Sequence, residues 1–318
     1  MKNRRTPPPP HTHTRIVLAG LILSIFNLGA HADEVSGLAV AIQNAKNSCS
    51  GISDSMSDLK RRAGISTAVT GVGTLSAGVG LGVGVAKSAK DKEIDEKIGK
   101  SATRVYGGGA VVEYGEITDE MINAAFDRLE KEVKEYEKMD SESKTLGNVR
   151  TDTLAGTAVL DTAGTIIAAK NKVGDDLQTK IDNCVKSIKN LQNERMRAQT
   201  ENTATDIELS TANKIITNCR DWEFVDLSPI NKRATGAVVS GGTGAALSVI
   251  GAITSASANS DSVRYGGAQK EKNLNVASNI LAGGATAASG AATIFNATQI
   301  SAVKKAATMS DKCEGALK

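Results

Sequence analysis

The chain has 318 residues, with 38 Lys and Arg against 35 Asp and Glu, 40% hydrophobic residues and only 3% aromatic ones. Its length allows two units, each large enough to bury a core, and a charged fraction of 23% excludes wholesale disorder. With so few aromatic rings, close packing has to come from smaller side chains.

At the N-terminus, Lys2, Arg4, Arg5 and Arg15 flank a proline run at residues 7–10, and residues 16–29 form an apolar stretch. That stretch is short for a membrane span and ends in Ala30-His31-Ala32, a small-x-small exit. The pattern predicts a secretory signal peptide over residues 1–32, removed before Asp33. No cysteine follows the exit, so lipoprotein processing is not indicated. Removal takes His11, His13 and His31, the only histidines, and leaves a nearly neutral chain whose one proline is Pro229. Without histidine there is no Ser-His-Asp or Cys-His site and no imidazole-bound metal. No basic run with interleaved aromatics remains, so nucleic acid is not an expected partner. Neither catalysis nor a cofactor or metal is expected.

The next segment, residues 35–61, contains Cys49 and reads as a helix. Arg62 opens an uncharged arm over residues 63–86, rich in Gly, Ser, Thr and Ala. Within it Ser76, Gly80, Gly84 and Ser88 recur every fourth residue, which stacks small side chains on one helix face. Residues 80–88 superficially resemble a phosphate loop, but Lys87 stands two residues away from where an ammonium would cover a phosphate. A tip follows, with Arg104 and Tyr106 beside the glycines at 107–109. Residues 111–143 read as an insertion carrying a solvated amphipathic helix at about 117–139, with Met121, Ala125, Leu129 and Val133 on one face. A return arm follows up to residue 169, containing Asp152 and a central Asp161. A second flanking helix at residues 175–199 places Leu177, Ile181, Val185, Ile188 and Leu191 on a core-facing stripe and carries Cys184.

The second half repeats this order. Cys219 precedes an arm over residues 234–260, in which Gly236, Ser240, Gly244, Ser248 and Ala252 again recur every fourth residue. A tip with Arg264 and Tyr265 beside Gly266 and Gly267 follows, then a return arm, then Cys313. Lys144-Thr145-Leu146 of the first half resembles Lys272-Asn273-Leu274 of the second, and Leu154-Ala155-Gly156 resembles Leu281-Ala282-Gly283. Cysteine, arm, tip, arm and cysteine recur in the same sequence, which reads as an internal duplication with units at residues 33–200 and 201–318. Trp222 is expected to anchor the cysteine end of the second unit.

The expected fold is all-α: an elongated bundle of two tandem antiparallel helical hairpins. Its packing faces resemble a glycine zipper, a style found in several bacterial envelope and pore-forming proteins. Equal spacings around each hairpin pair Cys49 with Cys184 and Cys219 with Cys313, in keeping with an oxidising compartment. The favoured function is a non-enzymatic structural or interaction protein of the cell envelope or periplasm. Its partner would be another envelope protein or a second copy, with Arg104, Tyr106, Arg264 and Tyr265 as candidate tip contacts. The alternative is a membrane protein that oligomerises through its zipper faces and forms a pore. The uncharged arms are long enough to cross a bilayer core of about 30 Å. Two observations favour a water-soluble bundle instead: Asp161 sits at the centre of one arm, and residues 87–147 carry more acidic than basic side chains. Asp161 is expected to face solvent or a Ser/Thr hydroxyl.

Overall fold

The computed structural model describes residues 36–106, 119–264 and 266–318, with backbone alone at 98–106, 119–126, 128, 129 and 268. The signal segment, the glycines at 107–109 and Tyr265 lie outside the described residues. Every regular element among the described residues is a helix. In chain order these are α1 (Gly37–Cys49), α2 (Ile52–Tyr106), α3 (Asp119–Ala169), α4 (Asp175–Glu201), α5 (Asp206–Cys219), α6 (Ser228–Ala258), the single turn α7 (Asp261–Arg264) and α8 (Ala268–Leu317), with a 3-10 turn at Arg220–Phe224.

Local chemistry sets the breaks. Gly51 has φ +74°, a left-handed conformation that glycine adopts freely, and it separates α1 from α2. Asn202 takes the left-handed position that ends α4. Thr205 and Glu208 form a reciprocal capping box at the start of α5. Pro229 lies in the first turn of α6, where its missing N–H leaves no intrahelical bond unmade.

Four long helices form an up-down-up-down shaft, in which α2 touches α3, α3 touches α6, α6 touches α8 and α8 closes the ring on α2. Contacts at matched heights fix the antiparallel order. Ser66 donates to the Gly164 carbonyl at 3.1 Å and Ser76 to that of Thr153 at 3.1 Å. Ser278 donates to the Gly251 carbonyl at 2.9 Å, and Thr74 meets Thr293 at 3.1 Å. Each helix therefore packs against its hairpin partner and against one helix of the other hairpin.

Buried positions follow a seven-residue repeat in steps of three and four. On α6 they are Ile230, Ala234, Ala237, Gly241, Gly244, Ser248, Gly251, Ser255 and Ala258, with Ala252 buried beside Gly251. The same steps carry the buried face of α8 from Asn275 to Leu317 and of α2 from Ile52 to Lys87. This is the spacing of a coiled coil, which keeps one stripe facing its neighbours over many turns.

At one end, α1, α4, α5 and the ends of α2 and α8 form a head. Its core holds Leu38, Ile52, Met56, Ile181, Ile188, Leu191, Ile215, Trp222 and Val303. The expected stripe of 175–199 is buried there at Ile181, Ile188 and Leu191, with Leu177 and Val185 packed against them. At the other end, α2 and α3 run on beyond the shaft as a two-helix extension bridged by Lys90 to Glu142 at 2.9 Å and Lys97 to Glu135 at 2.5 Å.

Two expectations change. The amphipathic segment at 117–139 is not a separate capping helix; from Asp119 onward it is the first part of α3, continuous with the return arm. Residues 35–61 are not one helix either, since Gly51 divides them and the second part continues into the arm as α2. In both places a long helix gains its stability by packing on a neighbour, which the local pattern does not reveal.

Candidate functional site

The shaft interior is built from small and polar groups. A β-carbon added at Gly80 would lie 3.3 Å from Leu154, at Gly236 2.9 Å from the Phe295 ring, and at Gly244 2.7 Å from the Asp161 carboxylate and 2.8 Å from Ser289 Oγ. At Gly84 it would collide with Asn279 and lie 2.8 Å from the Arg150 guanidinium. These glycines let neighbouring backbones approach, and the closeness supplies dispersion contact in place of large side chains. Ser76 reaches across to α3, Ser240 is half-buried, Ser248 is buried without a hydrogen-bond partner, and Ala252 packs with Leu154 and Ala282.

The expected row of every fourth residue on α6 coincides with the buried face only in its middle. Four residues turn about 400° on a helix, so such a row drifts about 40° per step. It starts half-buried at Gly236 and Ser240, is buried at Gly244, Ser248 and Ala252, and emerges into the open at Ala256. The three-and-four spacing drifts far less and defines the real seam.

Among the described residues, three ionisable side chains of the shaft are fully buried. Asp161 is fully buried and accepts a hydrogen bond from Ser289, while its Oδ1 has no partner. A β-carbon at Gly73 would lie 2.5 Å from that Oδ1, so glycine on α2 makes room for the acid on α3. The Ser/Thr hydroxyl expected for Asp161 is thus Ser289. Arg150 is fully buried, and its guanidinium nitrogens make no hydrogen bond among the described residues. Lys87 is buried too, but it pairs with Asp91 at 2.7 Å and Glu271 at 3.0 Å. Sequence reasoning missed Arg150 and Lys87. Extending the three-and-four spacing of Asp161, Thr157 and Leu154 back along α3 would have turned Arg150 inward.

The outer surface is the reverse of the interior. Leu75 is 72% exposed and Ile280 70%, and Ile65, Val72, Val79, Val159, Ile166, Val239, Ile253 and Ile294 also face outward. No charged residue occurs at 63–86, 234–260 or 273–303, and at 153–169 the only one is the inward Asp161. These stretches lie side by side, so the shaft surface is nearly free of charge; the exception is Asp152, exposed on α3 at the level of Gly80 and Ala256. Two stretches, Gly37–Lys97 and Ser228–Ala258, contain windows long and apolar enough to cross a membrane, and only 28% and 39% of those windows is buried.

In the head, disulfides join Cys49 to Cys184 and Cys219 to Cys313, the partners that the equal spacings match. All four cysteines are buried, and among the described residues none is free. Two disulfides suggest an oxidising, extracytoplasmic location. Trp222 is buried beside the second bridge in the head core.

Of the four candidate tip contacts, Arg264 is the one whose side chain is described, and it is not exposed. Arg264 has a side chain only 4% exposed, turned onto Asp140 and donating to the Asp140 carbonyl at 3.2 Å. Burial opposes its charge, but the hydrogen bond and the charge of Asp140 outweigh that and raise its pKa. Desolvated and paired in this way, it is unavailable to a partner. Arg104 and Tyr106 belong to the last turns of α2, with side chains outside the described ones, as is Tyr265. In comparisons with known proteins, no family model, no curated protein and no solved structure matches this chain.

Proposed function

We propose that the chain is an exported, non-enzymatic envelope protein whose four-helix shaft is embedded in a bilayer while its disulfide-stapled head stands in an oxidising aqueous compartment. One observation carries this reading: the shaft buries Gly, Ala, Ser, Thr and Asp161 and presents Val, Ile and Leu on a surface where Asp152 is the one exposed charge among the described residues. In water the aliphatic residues would gain by facing inward. In lipid they gain nothing by doing so, and close contact between small residues becomes the favourable way to join helices. The main argument from sequence against insertion is the charge of Asp161, and it weakens because that carboxyl meets Ser289 and not the surroundings. Residues 63–86 span about 36 Å as a helix, which matches a bilayer core of about 30 Å.

The zipper reading and the duplication belong to this proposal. Two copies of one hairpin, each too poor in large side chains to hold together alone, close a ring when placed together. The glycine-lined seams at Gly80, Gly84 and Gly244 serve contact inside one chain. The oligomeric pore of the alternative would need those same seams for a second copy, so the geometry favours a closed shaft that anchors the head.

Carbonate extraction of cells expressing the full-length protein tests the reading. Retention in the resistant membrane pellet, with helicity kept in detergent micelles, is expected. Release of a monomeric protein that melts cooperatively in plain buffer would overturn it.

A further inference from the structure

Where the shaft meets the head, each of the four helices carries two basic residues or is followed at once by them. They are Arg61 and Arg62 on α2, Lys170 and Lys172 just past α3, Lys232 and Arg233 on α6, and Lys304 and Lys305 on α8. Hydrogen bonds hold these stretches near one level. Arg62 donates to the Lys170 carbonyl at 3.4 Å, Val173 N–H donates to Asn231 at 2.7 Å, and Arg233 donates to the Thr298 carbonyl at 2.5 Å. Gln299 donates to the Asn171 and Ile230 carbonyls at 2.9 and 3.3 Å, which ties α8 to α3 and α6.

The ring is largely unneutralised. Asp58 pairs with Arg61 and Arg62. Among the described residues, Lys170, Lys172, Lys232, Lys304 and Lys305 are exposed and make no ion pair, although Lys232 lies in the field of Asp226. The opposite edge of the shaft differs: there Lys87 pairs with Asp91 and Glu271, Lys144 with Asp261 at 2.9 Å, and Arg264 with Asp140. The far rim thus pairs Lys87, Lys144 and Arg264 and leaves Lys270 and Lys272 on α8 without an ion pair among the described residues, whereas the rim at the head presents such lysines from just past α3 and from α6 and α8.

Resting on the membrane reading above, we propose that this basic ring binds the phosphate groups of anionic lipids in the leaflet nearest the head. Such a leaflet places negative charge at the edge of the hydrocarbon layer, all around an inserted shaft, which is where these lysines stand. Their aliphatic stems can lie along the shaft while the ammonium groups reach the headgroups. A nucleic acid would call for one continuous basic face with a row of stacking aromatics, whereas the basic residues are spread around the shaft and exposed Phe224 stands beside only Arg233 and Lys305.

The test uses the full mature protein and flotation with two kinds of vesicle, neutral phosphatidylcholine and the same lipid containing phosphatidylglycerol. Anionic lipid is expected to raise partitioning at least tenfold at low salt, with the increment lost at high salt. The variant carrying Lys170→Gln, Lys172→Gln, Lys304→Gln and Lys305→Gln is expected to lose that increment. A control removing the same charge from the head, with Lys180, Lys186, Lys189 and Lys214 each changed to Gln, is expected to keep it. Equal partitioning of wild type onto both vesicles, or equal loss in the control, overturns the ring while leaving the embedded shaft in place. Release of the protein from anionic vesicles by added DNA, dependent on the ring lysines, overturns the lipid assignment. Absence of flotation on either vesicle removes the membrane reading and the ring proposal with it.

Discussion

The head and the shaft share two helices and one spacing, yet they are packed by different means. Along α2 the buried positions pass from Ile52, Met56 and Leu59 in the head to Ala63, Ser66, Thr70, Gly73, Ala77, Gly80 and Gly84 in the shaft without a change of step. Along α8 the passage runs the other way, from Ser278, Ala282, Ala285 and Ser289 to Val303 and Leu317. Spacing therefore decides which face is turned inward. The size of the residues on that face decides whether water exclusion or close backbone approach holds it there.

The largest effect that would sharpen this contrast is expected in the head. Leu191 is fully buried among large side chains, so Leu191→Ala should cost about 2–5 kcal/mol through lost burial and the cavity left behind. Trp222, the single tryptophan, lies in the same core and reports the transition by fluorescence during denaturant titration. A shift in midpoint too small for that range would mean that the head is held by its disulfides and not by its core.

In the shaft, addition should be worse than removal. Gly84→Leu drives a side chain into Arg150 and Asn279 and should cost about 1–3 kcal/mol, whereas Gly82→Leu, two residues away and facing open space, should be close to neutral. Thermal melting followed by helical circular dichroism in micelles distinguishes them. Equal effects at the two positions would break the assignment of faces on α2.

A smaller effect of opposite sign is expected where glycine meets nothing. Gly78 and Gly156 have no neighbour within 4 Å of an added β-carbon. Alanine at either site should raise helix stability by about 0.5–1 kcal/mol, because it removes backbone entropy from the unfolded chain without touching a seam. Gly244→Ala, by contrast, meets Asp161 and Ser289 and should lower the melting temperature in the same assay.

Much of this architecture is legible in the sequence. The uncharged arms, the cysteine spacings and the repeated tips carry the helical hairpins and the pairing of Cys49 with Cys184 and of Cys219 with Cys313. The direction of the seam was harder to read, because glycine, alanine and serine occur on every side of α6 and any regular row through them looks like a face. Arg150 and Arg264 were opaque for another reason. An arginine near the end of an uncharged stretch has the same local pattern whether it points to water or inward, and only the neighbouring helix decides. The outward Val and Ile side chains were unreadable for the same cause, since their exposure depends on how four helices close a ring.

The smallest expected effect lies where the head is tied together by one carboxylate. Glu208 accepts hydrogen bonds from Ser36 at 2.6 Å, from the Thr205 N–H at 2.8 Å and from the Thr205 hydroxyl at 2.9 Å, so it joins the start of α1 to the start of α5. The Ser36 bond contributes most to holding its pKa below the ordinary 4.5, followed by the two bonds from Thr205, against a weak opposing effect of burial. A carboxyl lowered in the folded state adds stability that is complete above its unfolded pKa and disappears as pH falls through the folded one. The wild-type melting temperature, read from Trp222, should therefore decline on acidification below about pH 4.5. Glu208→Gln should start slightly lower at neutral pH and show a shallower acid limb, while the shaft signal in circular dichroism stays unchanged between the two proteins. An identical acid slope in the variant would move the source of acid sensitivity to other carboxylates. A matching change in the shaft signal would show that head and shaft melt as one unit, despite the different forces that pack them.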